Sequence, residues 1–204
     1  VVGENDYLRV SEKLGNNMVS SPILCKWGAH RTAVVDGERL ASICEPYFNR
    51  TYEKYCSHMN TPPRPEPAEH PAAVIKGKTV YLAHEIFRMY NEYGSLYHRE
   101  YFMNALNLIY TDPVLKVEMP SAGRVNFVKQ PNEDRYVLHL LYASPIQRGA
   151  ALVIEDIVPL YNVKVALKVE EKIKRVYLAP QMENIEFRQE GQYVNLAVPK
   201  VHGH

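Results

Sequence analysis

The chain has few of the features that would staple it, anchor it or give it an electrostatic handle. Three cysteines, Cys25, Cys44 and Cys56, occur in 204 residues. An odd number in a chain long enough to bury a core unaided argues against a disulfide framework and for reduced thiols. Neither sign of charge dominates: 24 Lys plus Arg stand against 23 Asp plus Glu. No positive field exists to condense on a nucleic-acid backbone or an anionic bilayer, so neither is expected as a partner. No apolar run approaches the roughly 20 residues that cross a membrane. The opening Val1-Val2-Gly3-Glu4-Asn5-Asp6 lacks the basic and apolar parts of a signal peptide. With the thiols, this points to the cytoplasm.

What is present is an ordinary globular composition, 46% hydrophobic and 23% charged, with 15 tyrosines against 5 phenylalanines and one tryptophan. Residues 1–20 show no sustained period. Short apolar runs at Pro22–Trp27, Thr32–Val35 and Leu40–Cys44 predict strands, with Asp36-Gly37 as a hairpin signal between the last two. The proline-rich Thr61–Pro67 predicts an extended surface loop, because each proline removes a backbone donor. Ala72–Ile75 and Thr79–Ala83, joined through Lys76-Gly77-Lys78, predict a hairpin. From His84 to Ile109 apolar residues recur at threes and fours, which predicts helix interrupted at Gly94-Ser95.

After Pro113 the period becomes two, most cleanly at Val163, Val165, Leu167 and Val169. Many short strands spaced about 8–12 residues apart point to an antiparallel sandwich. The expected organisation is two domains, residues 1–112 and 113–204, in an α+β chain whose second half is all β.

Candidate chemistry is sparse. Cys56-Ser57-His58 juxtaposes a thiol and an imidazole but lacks the spacing of a zinc site or a nucleophile elbow. Glu45, Glu85, Glu155 and Asp156 are possible carboxylates for glycoside cleavage, which needs a pair about 5–10 Å apart, yet no motif pairs any two of them. No catalytic residue, metal site or cofactor is therefore assigned. His202 and His204 read as solvated terminal histidines, and Asn49-Arg50-Thr51 as a turn rather than a glycosylation site. Tyr90, Tyr93, Tyr97 and Tyr101 fall on one helical stripe, which suits core packing and also a subunit interface or sugar platform.

Taken as a set, several segments resemble one family. They are Glu45–Tyr52, Cys56–His58, Thr61–Pro63, Val80–Tyr90, Arg135–Leu141, Ile154–Tyr161, Val176–Gln181 and Val198–His204. The resemblance is to the C-terminal region of bacterial glycoside hydrolases of the α-L-fucosidase-like kind that carry a β-galactosidase-type trimerisation domain. It implies that residues 1–112 are the end of a glutamine-amidotransferase-like α/β assembly domain and that 113–204 form the closing sandwich. It further implies an upstream TIM barrel holding the catalytic carboxylates, a homo-oligomer, and a non-catalytic role for this chain. Two rival expectations are a carbohydrate-binding module, which would show two or more coplanar exposed aromatics on the sandwich, and a Cys/His enzyme built on Cys56 and His58.

Overall fold

The computed structural model describes residues 4–203. The chain divides into two compact units, Val1–Thr111 and Asp112–His204.

The first unit is built on five strands: β1 (Asn5–Val10), β2 (Ile23–Lys26), β3 (Glu38–Cys44), β4 (Pro71–Lys76) and β5 (Thr79–Leu82). They form one sheet in the order β2-β1-β3-β4-β5, and each pairing is antiparallel. Register sets Asp6 opposite Cys25 and Leu8 opposite both Ile23 and Ile43. Side chains alternate along a strand, so these residues share a face. That face packs with α1 (Ile86–Tyr93) and α2 (Leu96–Ile109) into a core containing Leu8, Cys25, Ile43, Ile86, Tyr101 and Ala105. The fully buried Leu8, Leu14, Leu40 and Ile43 each contribute on the order of 1.5–3 kcal/mol of burial. On the opposite face the Tyr7 hydroxyl donates to the Thr61 carbonyl at 2.7 Å and Arg9 donates to that of Pro65 at 2.9 Å, holding the proline-rich loop against the sheet.

The interruption predicted within the helical segment is a two-residue break. Gly94 takes the left-handed conformation (φ 60°) and closes α1 with its amide on the Tyr90 carbonyl, and Ser95 opens α2. The β4–β5 hairpin forms as predicted, around Gly77 at φ 56°. Two expectations fail. Thr32–Val35 is not a strand: Val35 is almost fully exposed, and Asp36-Gly37 leads into β3 without closing a hairpin. Conversely, β1 lies within the aperiodic first 20 residues and yet occupies an interior position of the sheet. It is six residues long and carries a buried aspartate among its apolar positions, which hides the alternation.

The class is α+β, but helices follow the sheet instead of alternating with its strands, and no parallel pairing of an amidotransferase-like α/β layer occurs among the described residues.

The second unit comprises β6 (Leu115–Val117), β7 (Arg124–Gln130), β8 (Arg135–Leu141), β9 (Ile146–Arg148), β10 (Ala151–Val153), β11 (Leu160–Lys168), β12 (Tyr177–Leu178), β13 (Glu183–Asn184), β14 (Phe187–Glu190) and β15 (Tyr193–Val201). A four-stranded antiparallel sheet runs β14-β15-β11-β6, and β7-β8, β9-β10 and β12-β13 are separate hairpins. The period-two residues Val163, Val165, Leu167 and Val169 are all buried. Phe127, Leu138 and Leu140 of the β7-β8 hairpin pack into the same cluster with Val194 and Val198. A sheet and a hairpin thus close on one apolar layer, consistent with a β-sandwich.

Candidate functional site

The densest polar chemistry in the chain lies inside the first unit. Asp6 of β1 is wholly buried, and its Oδ1 accepts from His84 Nε2 at 2.7 Å. Its Oδ2 accepts from the Ala29 amide at 2.8 Å and from Arg31 at 3.0 Å. The other end of the Arg31 guanidinium reaches Glu45 at 3.3 Å. Burial alone would raise the Asp6 carboxyl, but the hydrogen bond and charge of His84, the Ala29 amide and Arg31 together hold it below its ordinary value.

Beside it, Cys25 Sγ lies 3.3 Å from His98 Nε2, and His98 Nδ1 lies 2.7 Å from the Ser95 hydroxyl. Burial, with a smaller push from the Asp6 charge, drives the Cys25 thiol well above its usual range. Burial, then the charge of His84, pulls His98 down to about 4. The thiol therefore keeps its proton, and the neutral imidazole links it to the Ser95 hydroxyl. This accounts for the Ser95 hydroxyl's making no capping bond to the helix backbone.

Such a thiol is neither ionised nor reachable, so the cluster is not a nucleophile with its base. Asp6, Cys25 and His84 place donor atoms within 4.8 Å of one another. The carboxylate is already engaged by three donors, one of them a guanidinium, and the cysteine holds its proton. The set fits hydrogen bonding better than cation ligation. What it does is tie β1 to the loop after β2 and to the residue after Ala83, and the His30 amide reinforces the tie by donating to the Ala83 carbonyl at 2.9 Å. The sequence signal for it was weak: isolated Asp6, His84 and His98 carry no spacing pattern, and only the register brings them together.

The residues singled out from sequence are dispersed. Cys56 Sγ lies 3.4 Å from the backbone carbonyl of His58, not its ring, in an exposed loop where Tyr52 and Tyr55 project into solvent. Glu45 pairs with Arg31, Glu85 with Arg88 at 3.2 Å and Glu155 with Arg148 at 2.8 Å, while Asp156 is exposed. His202 Nε2 meets the Ile157 carbonyl at 3.1 Å, and His204 lies outside the described residues.

The tyrosine stripe divides. Tyr101 is completely buried, with its hydroxyl on the Ala72 carbonyl at 3.2 Å, and so belongs to the core. Tyr90, Tyr93 and Tyr97 are exposed, and Tyr93 and Tyr97 line an open groove of about 570 Å³ with Lys26 and Ser95. Tyr93 lies 6.0 Å from Trp27, whose other neighbour is the Arg88 guanidinium at 3.7 Å.

On the second unit the aromatic platform of a sugar-binding module is not assembled. Among the described residues of this unit, Tyr161 is the one aromatic with an exposed large apolar side chain. Phe127 and Tyr136 stack at 5.3 Å, but on each other and against the core cluster.

With the geometry in place, likeness to known proteins narrows the reading. No protein-family model matches the chain, and no curated protein does. Among solved structures it superposes on alpha-L-fucosidase isoenzyme 2 from Paenibacillus thiaminolyticus with a TM-score of 0.90 and 34% identity. Over its length the chain resembles part of that fucosidase. The match covers 98% of this chain and 31% of that fucosidase, so both units are included and the larger share of the fucosidase has no counterpart here. No helix among the described residues is long and apolar enough to cross a membrane.

Proposed function

We propose that this chain is the non-catalytic C-terminal assembly and support region of a multidomain glycoside hydrolase acting on fucosyl or galactosyl glycans. The observation that carries the reading is the match of nearly the whole chain to about a third of a fucosidase. A fragment of that size, without a run of alternating strands and helices, cannot form the barrel on which such enzymes place their carboxylates.

In this reading the first unit corresponds to the end of a trimerisation-type domain and the second to the closing sandwich, and the intact protein is a cytoplasmic homo-oligomer with its TIM barrel upstream. The exposed Tyr90, Tyr93 and Tyr97 support contact with other parts of the assembly, because tyrosine offers an apolar ring and a polar tip at low entropic cost. The buried Asp6–His84–Cys25–His98 network ties the sheet to the helical segment that carries them.

Reading the coding DNA upstream of Val1 tests the proposal. An in-frame barrel domain supports it. An initiation codon with no barrel before it contradicts it.

A further inference from the structure

The boundary between the two compact units falls between Thr111 and Asp112, and the chain is anchored close to it on both sides. Before it, the Tyr110 amide donates to the Leu106 carbonyl at 2.8 Å and closes α2. After it, the Lys168 amide donates to the Val114 carbonyl at 2.8 Å, which carries the β6–β11 pairing one residue ahead of β6. Only Thr111, Asp112 and Pro113 lie between these two bonds.

Two of these three residues are held by side chains of the second unit. The β11–β15 register sets Lys168 opposite Tyr193 at the end of the sheet, and residues directly opposite share a face. Both reach Asp112. The Lys168 ammonium forms an ion pair with Oδ2, and the Tyr193 hydroxyl lies 2.6 Å from Oδ1 and 2.8 Å from the Pro113 carbonyl oxygen, so its one proton is shared between two acceptors. Lys116 of β6 sits 5.4 Å from the centre of the same tyrosine ring and adds positive charge beside the carboxylate. The Lys168 and Tyr193 hydrogen bonds hold the Asp112 carboxyl below its ordinary value. Pro113 fixes its own φ and keeps Asp112 extended. An exposed ion pair by itself would add little. Here one aspartate is gripped from two strands and stiffened by the proline that follows it, whereas Thr111 is exposed and has no such restraint.

We propose that Asp112, Lys168 and Tyr193 form a clamp that confines the backbone freedom of the unit boundary to Thr111. With the clamp closed a single residue can reorient, a span of about 3.5 Å, and with it open three can, a span of up to about 10 Å. The clamp thus decides whether the boundary is one pivot or a short tether. This inference goes beyond the assembly reading above and stands without it.

Backbone amide relaxation of the full chain is the test, with limited proteolysis beside it. In the wild type the heteronuclear NOE should dip at Thr111 alone, with Asp112 and Val114 at the values of β11. Tyr193→Phe and Lys168→Met each remove one polar group and keep the bulk of the side chain. In both variants the dip should widen to Asp112 and chymotrypsin should cut after Tyr110 several-fold faster, while Val163 and Val194 keep their wild-type NOE values. An Asp112 amide as mobile as that of Thr111 in the wild type overturns the clamp, and so do variants that leave both readouts unchanged. A loosening that spreads along β11 and β15 also overturns it, because the two side chains would then be holding the sheet and not the boundary.

Discussion

Asp6 and His84 are separated by 78 positions in sequence and by 2.7 Å in space, both side chains wholly removed from solvent. Their hydrogen bond joins the second-placed strand of the sheet to the residues that follow its far edge strand. Replacing Asp6 by Ala leaves the Ala29 amide, the mostly buried Arg31 and His84 without their acceptor. The expected loss is about 3–5 kcal/mol of stability, the range for breaking one partner out of a buried ionic network. Asp6→Asn keeps an acceptor and should cost less. Urea unfolding monitored by circular dichroism gives both values.

His98 supplies the pH dependence. Its folded pKa is depressed to about 4 from an ordinary 6.5, so between these values the unfolded chain binds a proton that the folded chain refuses. Stability is then complete above about 6.5, falls as pH drops through this window, and loses up to about 3 kcal/mol by pH 4. The lowered Asp6 carboxyl adds a loss at still lower pH, as it takes up its proton. Urea midpoints measured from pH 7 to 4 should fall, and more shallowly in His98→Gln than in the wild type.

Two glycines separate backbone strain from crowding. At Gly94 (φ 60°) a Cβ meets nothing within 4 Å, so Gly94→Ala should cost only about 1–2 kcal/mol of left-handed strain. At Gly37 (φ 118°) a Cβ lies 2.7 Å from the Ile75 carbonyl oxygen, which β4 holds in place. Gly37→Ala should therefore be clearly the worse of the two, and thermal melts of the pair rank them.

How much of this was legible follows the strength of local signals. The α1–α2 break was legible because Gly94 and Ser95 each have a local conformational reason to be there. The β4–β5 hairpin and β11 were legible because alternation survives where one face is buried. Thr32–Val35 misled, since β-branched composition imitates a strand wherever the chain is merely extended. β1 and the Asp6 network were not legible. A buried aspartate breaks the hydrophobic pattern, and its partners come from the ends of other elements, which only the sheet order brings close. Tyr101 and Tyr97 share a helical stripe four residues apart, yet one is core and the other surface. Periodicity gives a face but not where the sheet beneath it ends.

The two compact units lead us to expect that the second folds alone. A fragment beginning at Asp112 has its own apolar cluster around Val163, Val165, Val194 and Val198. It should show a cooperative melt and dispersed amide resonances. A fragment that precipitates or stays unfolded would show that the sandwich depends on residues before 112.

The non-catalytic reading is tested most directly by assaying the purified chain against nitrophenyl α-L-fucoside and β-D-galactoside at high protein concentration. Each candidate carboxylate other than Asp156 is tied to its own arginine, so the expected rate is that of the buffer. Turnover that survives rigorous purification, and disappears when a single acidic residue of this chain is changed to its amide, would contradict the account.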